Sequence, residues 1–139
     1  MTDSTHPEPT PEEEARARDQ VEQMLDAGLR RFYDKVRLDP LIGPVFASAV
    51  HDWDTHIGAM RDFWSRALLG TERYNGQPLA PHVPLRIGPA HFERWLALWK
   101  EAAEETMPPR LAAHVSAMAG NMSHCWARAL QSLQAEAAQ

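Results

Sequence analysis

From Leu111 to Leu133, apolar residues return every three or four positions without a break: Leu111, Val115, Met118, Met122, Cys125, Ala129 and Leu133. That is the period of an α-helix with one buried face, and a strand, whose side chains alternate with a period of two, does not produce it. The same spacing recurs in Val21, Leu25, Leu29, Phe32 and Val36, with Ala27 beside them. It recurs again in His56, Met60, Phe63 and Ala67, and in Phe92, Trp95, Leu96, Trp99 and Ala102. No stretch alternates in the manner of a strand. The chain is therefore expected to be all-α, with about five substantial helices around one core.

Turn and cap residues divide these faces. In Thr10-Pro11-Glu12-Glu13, Thr10 can cap, Pro11 suits the first helical position and Glu13 completes a capping box. Gly28 is expected to mark a bend between two helices within the stretch that follows. Asp39-Pro40-Leu41-Ile42-Gly43-Pro44-Val45-Phe46 predicts a turn with one short helical turn. Asp52 caps a helix from about Trp53 to Leu69, which Gly70 stops. Between Gly70 and Pro89, an Asn75-Gly76 turn and Pro78, Pro81 and Pro84 leave room only for very short helix. A helix from about Ala90 to Glu105 is separated by Met107-Pro108-Pro109 from a last one, about Pro109 to Gln134. Met1 to about Pro9 is polar and reads as a disordered tail. Residues 1–18 are thus expected to form a flexible N-terminal extension and helix start, and 19–136 the folded domain.

At 139 residues the chain makes one domain with a real core. Its formal charge of −5 argues against a nucleic-acid partner. Cys125 is the sole cysteine, so no intrachain disulfide forms, and no signal-peptide pattern opens the sequence; both point to the cytoplasm. Apolar runs are only a few residues long, which excludes a membrane-spanning helix.

Four segments each offer a large or polar group that could line one pocket: Tyr33; His56 with Phe63 and Trp64; His82; and Trp95. An all-helical protein holds a flat aromatic cofactor such as haem in this way. His82 stands between Pro81 and Pro84, which restrict the backbone and present the ring rigidly. Taken singly, each residue has an ordinary reading: an exposed loop histidine at 82, a satisfied boundary histidine at 56, a boundary tyrosine at 33, core tryptophans at 95 and 99. The conjunction carries the weight. Competing chemistries lack their motifs. There is no Cys-x-x-Cys or His-Glu-x-x-His for zinc, no phosphate-cradling glycine loop and no Gly-x-Ser-x-Gly elbow. His51, His91, His114 and His124 have no spacing that makes them a metal cluster. His91, close to His82 in sequence, competes as an axial ligand or as a contact to a haem propionate.

These residues resemble the group III truncated haemoglobins. The strings that carry the resemblance run from Phe32-Tyr33-Asp34-Lys35-Val36-Arg37 through Asp39-Pro40-Leu41-Ile42-Gly43-Pro44-Val45-Phe46 and Trp53-Asp54-Thr55-His56. They continue in Phe63-Trp64, Leu68-Leu69-Gly70, Tyr74-Asn75-Gly76-Gln77-Pro78-Leu79, His82 and His91-Phe92-Glu93-Arg94-Trp95-Leu96. The resemblance implies a truncated globin fold, a two-over-two helical sandwich with a very short proximal helix. It implies haem b as cofactor, His82 as the iron's proximal ligand, and Tyr33, His56 and Trp95 on the distal side. Phe46, Phe63, Trp64, Tyr74 and His91 would complete the cofactor site. No Gly-Gly pair occurs, unlike groups I and II. Pro81 departs from the polar or small residue usual before the proximal histidine.

Function follows as an expectation. Oxygen, NO, CO or sulfide would bind reversibly at the iron, and oxygen, carrying partial negative charge, would be retained by the Tyr33 and Trp95 donors. Slow release suits a carrier poorly. The alternative is an oxidoreductase, an NO dioxygenase or peroxidase-like enzyme, fed by a separate reductase. A haem-free helical interaction domain is the third reading. Absence of a Cys-x-x-Cys-His motif makes the haem noncovalent.

Overall fold

The computed structural model describes residues 7–76, 80–82 and 84–137. Residues 1–6 of the expected tail, and 77–79 and 83 beside His82, lie outside the described residues. The elements are α1 (Pro11–Leu38), α2 (Gly43–Ala49), α3 (Trp53–Leu69), one 3-10 turn (Ala80–His82), α4 (Pro89–Thr106) and α5 (Pro109–Ala137). No strand occurs among the described residues. None of the helices is long and apolar enough to cross a membrane.

Helix ends follow local chemistry. Thr10 Oγ1 accepts from Glu13 N–H at 3.1 Å, and Glu13 Oε1 accepts from Thr10 N–H at 2.8 Å, the reciprocal box that opens α1. Asp52 takes Thr55 N–H at 3.3 Å to open α3, and Gly70 closes it at φ 72°, a conformation that favours glycine.

Three expectations require correction. First, α1 runs unbroken through Gly28. That glycine is buried against the end of α4, where an added Cβ would lie 2.7 Å from Met107 Cε and 3.2 Å from Thr106 Oγ1. It serves close helix approach rather than a bend. Second, the Asp39–Phe46 segment leads into two helical turns, not one. Asp39 Oδ2 accepts from both Leu41 N–H and Ile42 N–H at 3.0 Å, and Pro44 sits in the first turn of α2, where its missing N–H costs nothing. Third, the inward face of α5 follows the expected stripe only in part: Val115 is buried and Leu111, Met118 and Met122 pack against the core, but the later positions depart from it. Cys125 and Leu133 are exposed, while Ala112, Val115, Ala119, Ser123 and Leu130 are buried. Of these, Ala112, Ala119 and Ser123 are small, and an apolar count passes over them.

The core sits where α1 meets α3 and α4, and α4 in turn packs along α5. Trp99 is fully buried at its centre, stacked on Trp64 at 4.8 Å and 11° and touching Phe32 edge-on at 5.5 Å. Ala102 and Ala103 on α4 are fully buried in the same core. Across the surface of the α1–α4 seam, Arg31 and Lys35 pair with Glu105, and Lys35 also with Glu101. Such exposed pairs are each worth about 0–1 kcal/mol and set orientation more than stability.

Gly43 ties α2 to α1 and so fixes one wall of the cavity described below. A Cβ there would come within 2.9 Å of the Val36 carbonyl oxygen, a backbone atom with no freedom to yield. Gly43→Ala is therefore expected to destabilise the fold by about 1–3 kcal/mol, the usual cost of overpacking. A urea titration should show a lower midpoint; an unchanged midpoint would mean that α2 shifts freely.

Candidate cofactor pocket

Between α1, α2, α3, α4 and α5 lies a mainly apolar cavity of about 470 Å³. All nine side chains singled out in the sequence border it: Tyr33, Phe46, His56, Phe63, Trp64, Tyr74, His82, His91 and Trp95. They come from four helices, one 3-10 turn and the segment after α3. Tertiary packing alone makes them neighbours.

The polar groups fall into three sets. Tyr33, buried on α1, and His56, half-buried on α3, approach with Oη and Nε2 3.0 Å apart. Burial pushes the Tyr33 hydroxyl far above the ordinary phenol value, so it keeps its proton and remains a donor. His56 is pushed below the ordinary histidine value, first by burial and second by the charge of His82. Phe46, Trp53 and Phe32 pack around the Tyr33 ring at 5.8, 5.5 and 4.8 Å. His56 is consequently turned inward onto Tyr33 rather than out to solvent. Trp95 forms the second set, touching Phe32 edge-on at 5.8 Å. The neighbouring Trp99 spends its indole N–H on Val115 O at 3.3 Å.

His82 ends the 3-10 turn and forms the third. Leu85 N–H donates to its carbonyl at 3.0 Å, and Gln134 Nε2 on α5 donates to Leu85 O at 2.9 Å, which fastens the chain just beyond it. Its ring lies 5.6 Å from Trp126, at a 58° tilt. On the far side, Arg73 binds Glu22 on α1 and Asp62 on α3, so the segment carrying Tyr74 is held over Phe63 at 5.3 Å.

Comparison with known proteins decides the family. A family profile described as Bacterial-like globin matches residues 18–129. The crystal structure of the group III truncated hemoglobin from Campylobacter jejuni superposes with a TM-score of 0.73 and 31% identity, covering 78% of this chain and 90% of that one. The chain belongs to the bacterial-like globins, in the group III truncated haemoglobin branch. A group 3 truncated hemoglobin of Campylobacter jejuni is also 42% identical over 76 residues; that stretch covers 51% of this chain and 60% of the relative. The all-α truncated globin fold expected from the sequence is the fold observed.

The globin family implies a haem cofactor, and the residues present fit one. A cavity of this volume falls in the size class of cofactor sites, and its walls are mostly aromatic and aliphatic, as a porphyrin requires. Among the described residues no group of three or more His, Cys, Asp or Glu could hold a metal unaided. A metal already held in a porphyrin needs only an axial imidazole from the protein. An apolar void also forfeits packing contacts in proportion to its size, and a flat apolar occupant restores them.

Sequence reasoning missed part of this globin's pocket wall. Met122, Ser123 and Trp126 on α5, and Val45, Ala49 and Val50 in and after α2, also border the cavity. Trp126 had a signal available. It lies four residues beyond Met122, one helical turn along the same face.

Proposed function

We propose that this globin binds haem b noncovalently, with His82 as axial ligand, and takes up oxygen and other small ligands beside Tyr33, His56 and Trp95. The observation that carries this reading is the cavity itself: one apolar space that collects His82, the Tyr33–His56 pair and the Trp95 indole from separate elements. When bound, haem would supply an iron that takes small ligands such as oxygen, NO, CO or sulfide, together with redox chemistry. The chain's own residues then do three things. His82 offers a ring nitrogen from a backbone held by Leu85 and Gln134. Phe46, Phe63 and Trp64 exclude water and keep the local dielectric low. Tyr33 and Trp95 offer O–H and N–H groups to whatever negative charge develops between them.

A second reading draws support from the same polar wall. Tight retention of oxygen suits an NO dioxygenase or peroxidase-like oxidoreductase better than transport, and an external reductase would then supply electrons. In both readings residues 19–136 form the haem-holding domain, and the lone Cys125 agrees with a reducing cytoplasm. Ahead of it, residues 11–18 form the exposed first turns of α1.

Haem uptake tests the proposal against the haem-free helical domain. Purified apoprotein titrated with haem should develop a Soret band at one equivalent, and acid-acetone should extract the pigment. Uptake should also raise the melting temperature. With free haem a thousandfold above its Kd, stabilisation is about 4 kcal/mol, which for a domain of this size is on the order of 10 °C. A chain that takes no haem, or holds it covalently, defeats the reading.

A further inference from the structure

His91 sits in the first turn of α4 and borders the cavity while remaining half-buried. Two hydrogen bonds fix it: its backbone N–H donates to Gly88 O at 3.0 Å, and Gly88 N–H donates to its ring Nδ1 at 3.0 Å. A neutral imidazole has one N–H and one lone pair. The Gly88 bond engages the lone pair at Nδ1, so the proton resides on Nε2, at the opposite edge of the ring. The ring therefore offers a donor there and no free lone pair. It cannot ligate iron through Nε2 while that nitrogen keeps its proton, nor through Nδ1 without breaking the helix cap.

We infer that His91 is a carboxylate anchor at the pocket margin, its Nε2–H donating to a propionate of the haem while Gly88 holds the ring by Nδ1. The inference rests on the haem reading above and decides which of two roles His91 takes. Half-burial suits it: a propionate must leave the apolar cavity toward water, and a donor at the margin meets it there without a buried charge. Helix capping and cofactor anchoring then use the two nitrogens of one ring.

The test separates these duties. Long-range ¹⁵N–¹H spectra of the apoprotein at neutral pH should show His91 protonated at Nε2 and bare at Nδ1; the reverse pattern overturns the inference. His91→Glu keeps an acceptor for Gly88 N–H, as a capping-box glutamate does, but replaces the donor by a negative charge. The variant apoprotein should accordingly melt close to wild type. It should lose ordinary haem about tenfold faster or more, the expected loss for a hydrogen bond to a charged acceptor. Haem dimethyl ester, whose propionates carry no charge, should leave both proteins at nearly the same rate. Equal acceleration for the two haems would make His91 a packing residue only, and unchanged loss of ordinary haem would remove the anchor. A wild-type chain that binds the dimethyl ester but not ordinary haem also overturns it. Uptake of neither haem sinks the haem reading itself, and this inference with it, whatever the ring spectrum shows.

Discussion

His82→Ala, in protein reconstituted with haem, is expected to lose the five-coordinate histidine spectrum, and millimolar imidazole should restore much of it. Perturbing only the partner of a metal-bound histidine commonly weakens a site ten- to a hundredfold, so removing the ligand should speed haem loss more than about a hundredfold. The side chain borders the cavity at the end of the Ala80–His82 turn, with its ring against Trp126. Because that turn is short and exposed at Pro81, truncating the ring should leave the helices standing; far-ultraviolet circular dichroism checks this. His91→Ala is the matched control. Its Nδ1 is engaged by Gly88 N–H, so its loss should leave the axial spectrum intact even though haem is held less firmly. Loss of the histidine spectrum in His91→Ala but not in His82→Ala would reverse the assignment.

Much of this globin could be read before its structure because its punctuation and its large residues speak locally. Asp52 and Gly70 bound α3 at the positions the sequence predicts, through a side-chain cap and a left-handed glycine. The nine pocket residues are aromatic or histidine, types whose size and chemistry attract notice wherever they stand. What stayed hidden depends on partners remote in sequence. Gly28 looks like a bend until Met107 and Thr106 are seen packed against it, and Gly43 looks like a turn until the Val36 carbonyl is found beside it. Ala112, Ala119 and Ser123 line the buried side of α5, yet small residues barely register in an apolar count. The Tyr33–His56 approach joins residues 23 apart on different helices, and no local pattern encodes it.

That approach shapes the last expected result, which concerns how long oxygen stays. Tyr33 is buried and keeps its proton, so its hydroxyl can donate to only one acceptor at a time. If His56 carries its proton on Nε2, it donates to Tyr33 Oη, and the Tyr33 proton turns toward the ligand; hydrogen bonds arranged in such a chain reinforce one another. If His56 Nε2 is bare, Tyr33 donates to it at rest and must turn when oxygen enters. In both cases, under the proposed function, the hydroxyl would be the donor that meets the negative charge a bound oxygen acquires. Tyr33→Phe removes it while nearly preserving volume, so packing loss should be small. A hydrogen bond to a charged acceptor contributes roughly 1.5–3 kcal/mol, or about ten- to a hundredfold in rate. Oxygen should therefore dissociate about tenfold faster or more from Tyr33→Phe, and CO, which is less polar, should respond less. Trp95→Phe should act in the same direction but less cleanly, because the smaller ring also opens space beside Phe32. His56→Leu should accelerate release less than Tyr33→Phe does. Its effect should also largely vanish in the double variant, since it acts through the tyrosine and coupled residues are not additive. Stopped-flow dissociation of oxygen and CO from these proteins provides the measurement. Unchanged oxygen rates in both Tyr33→Phe and Trp95→Phe would remove the donors, and with them the physical case against a simple carrier.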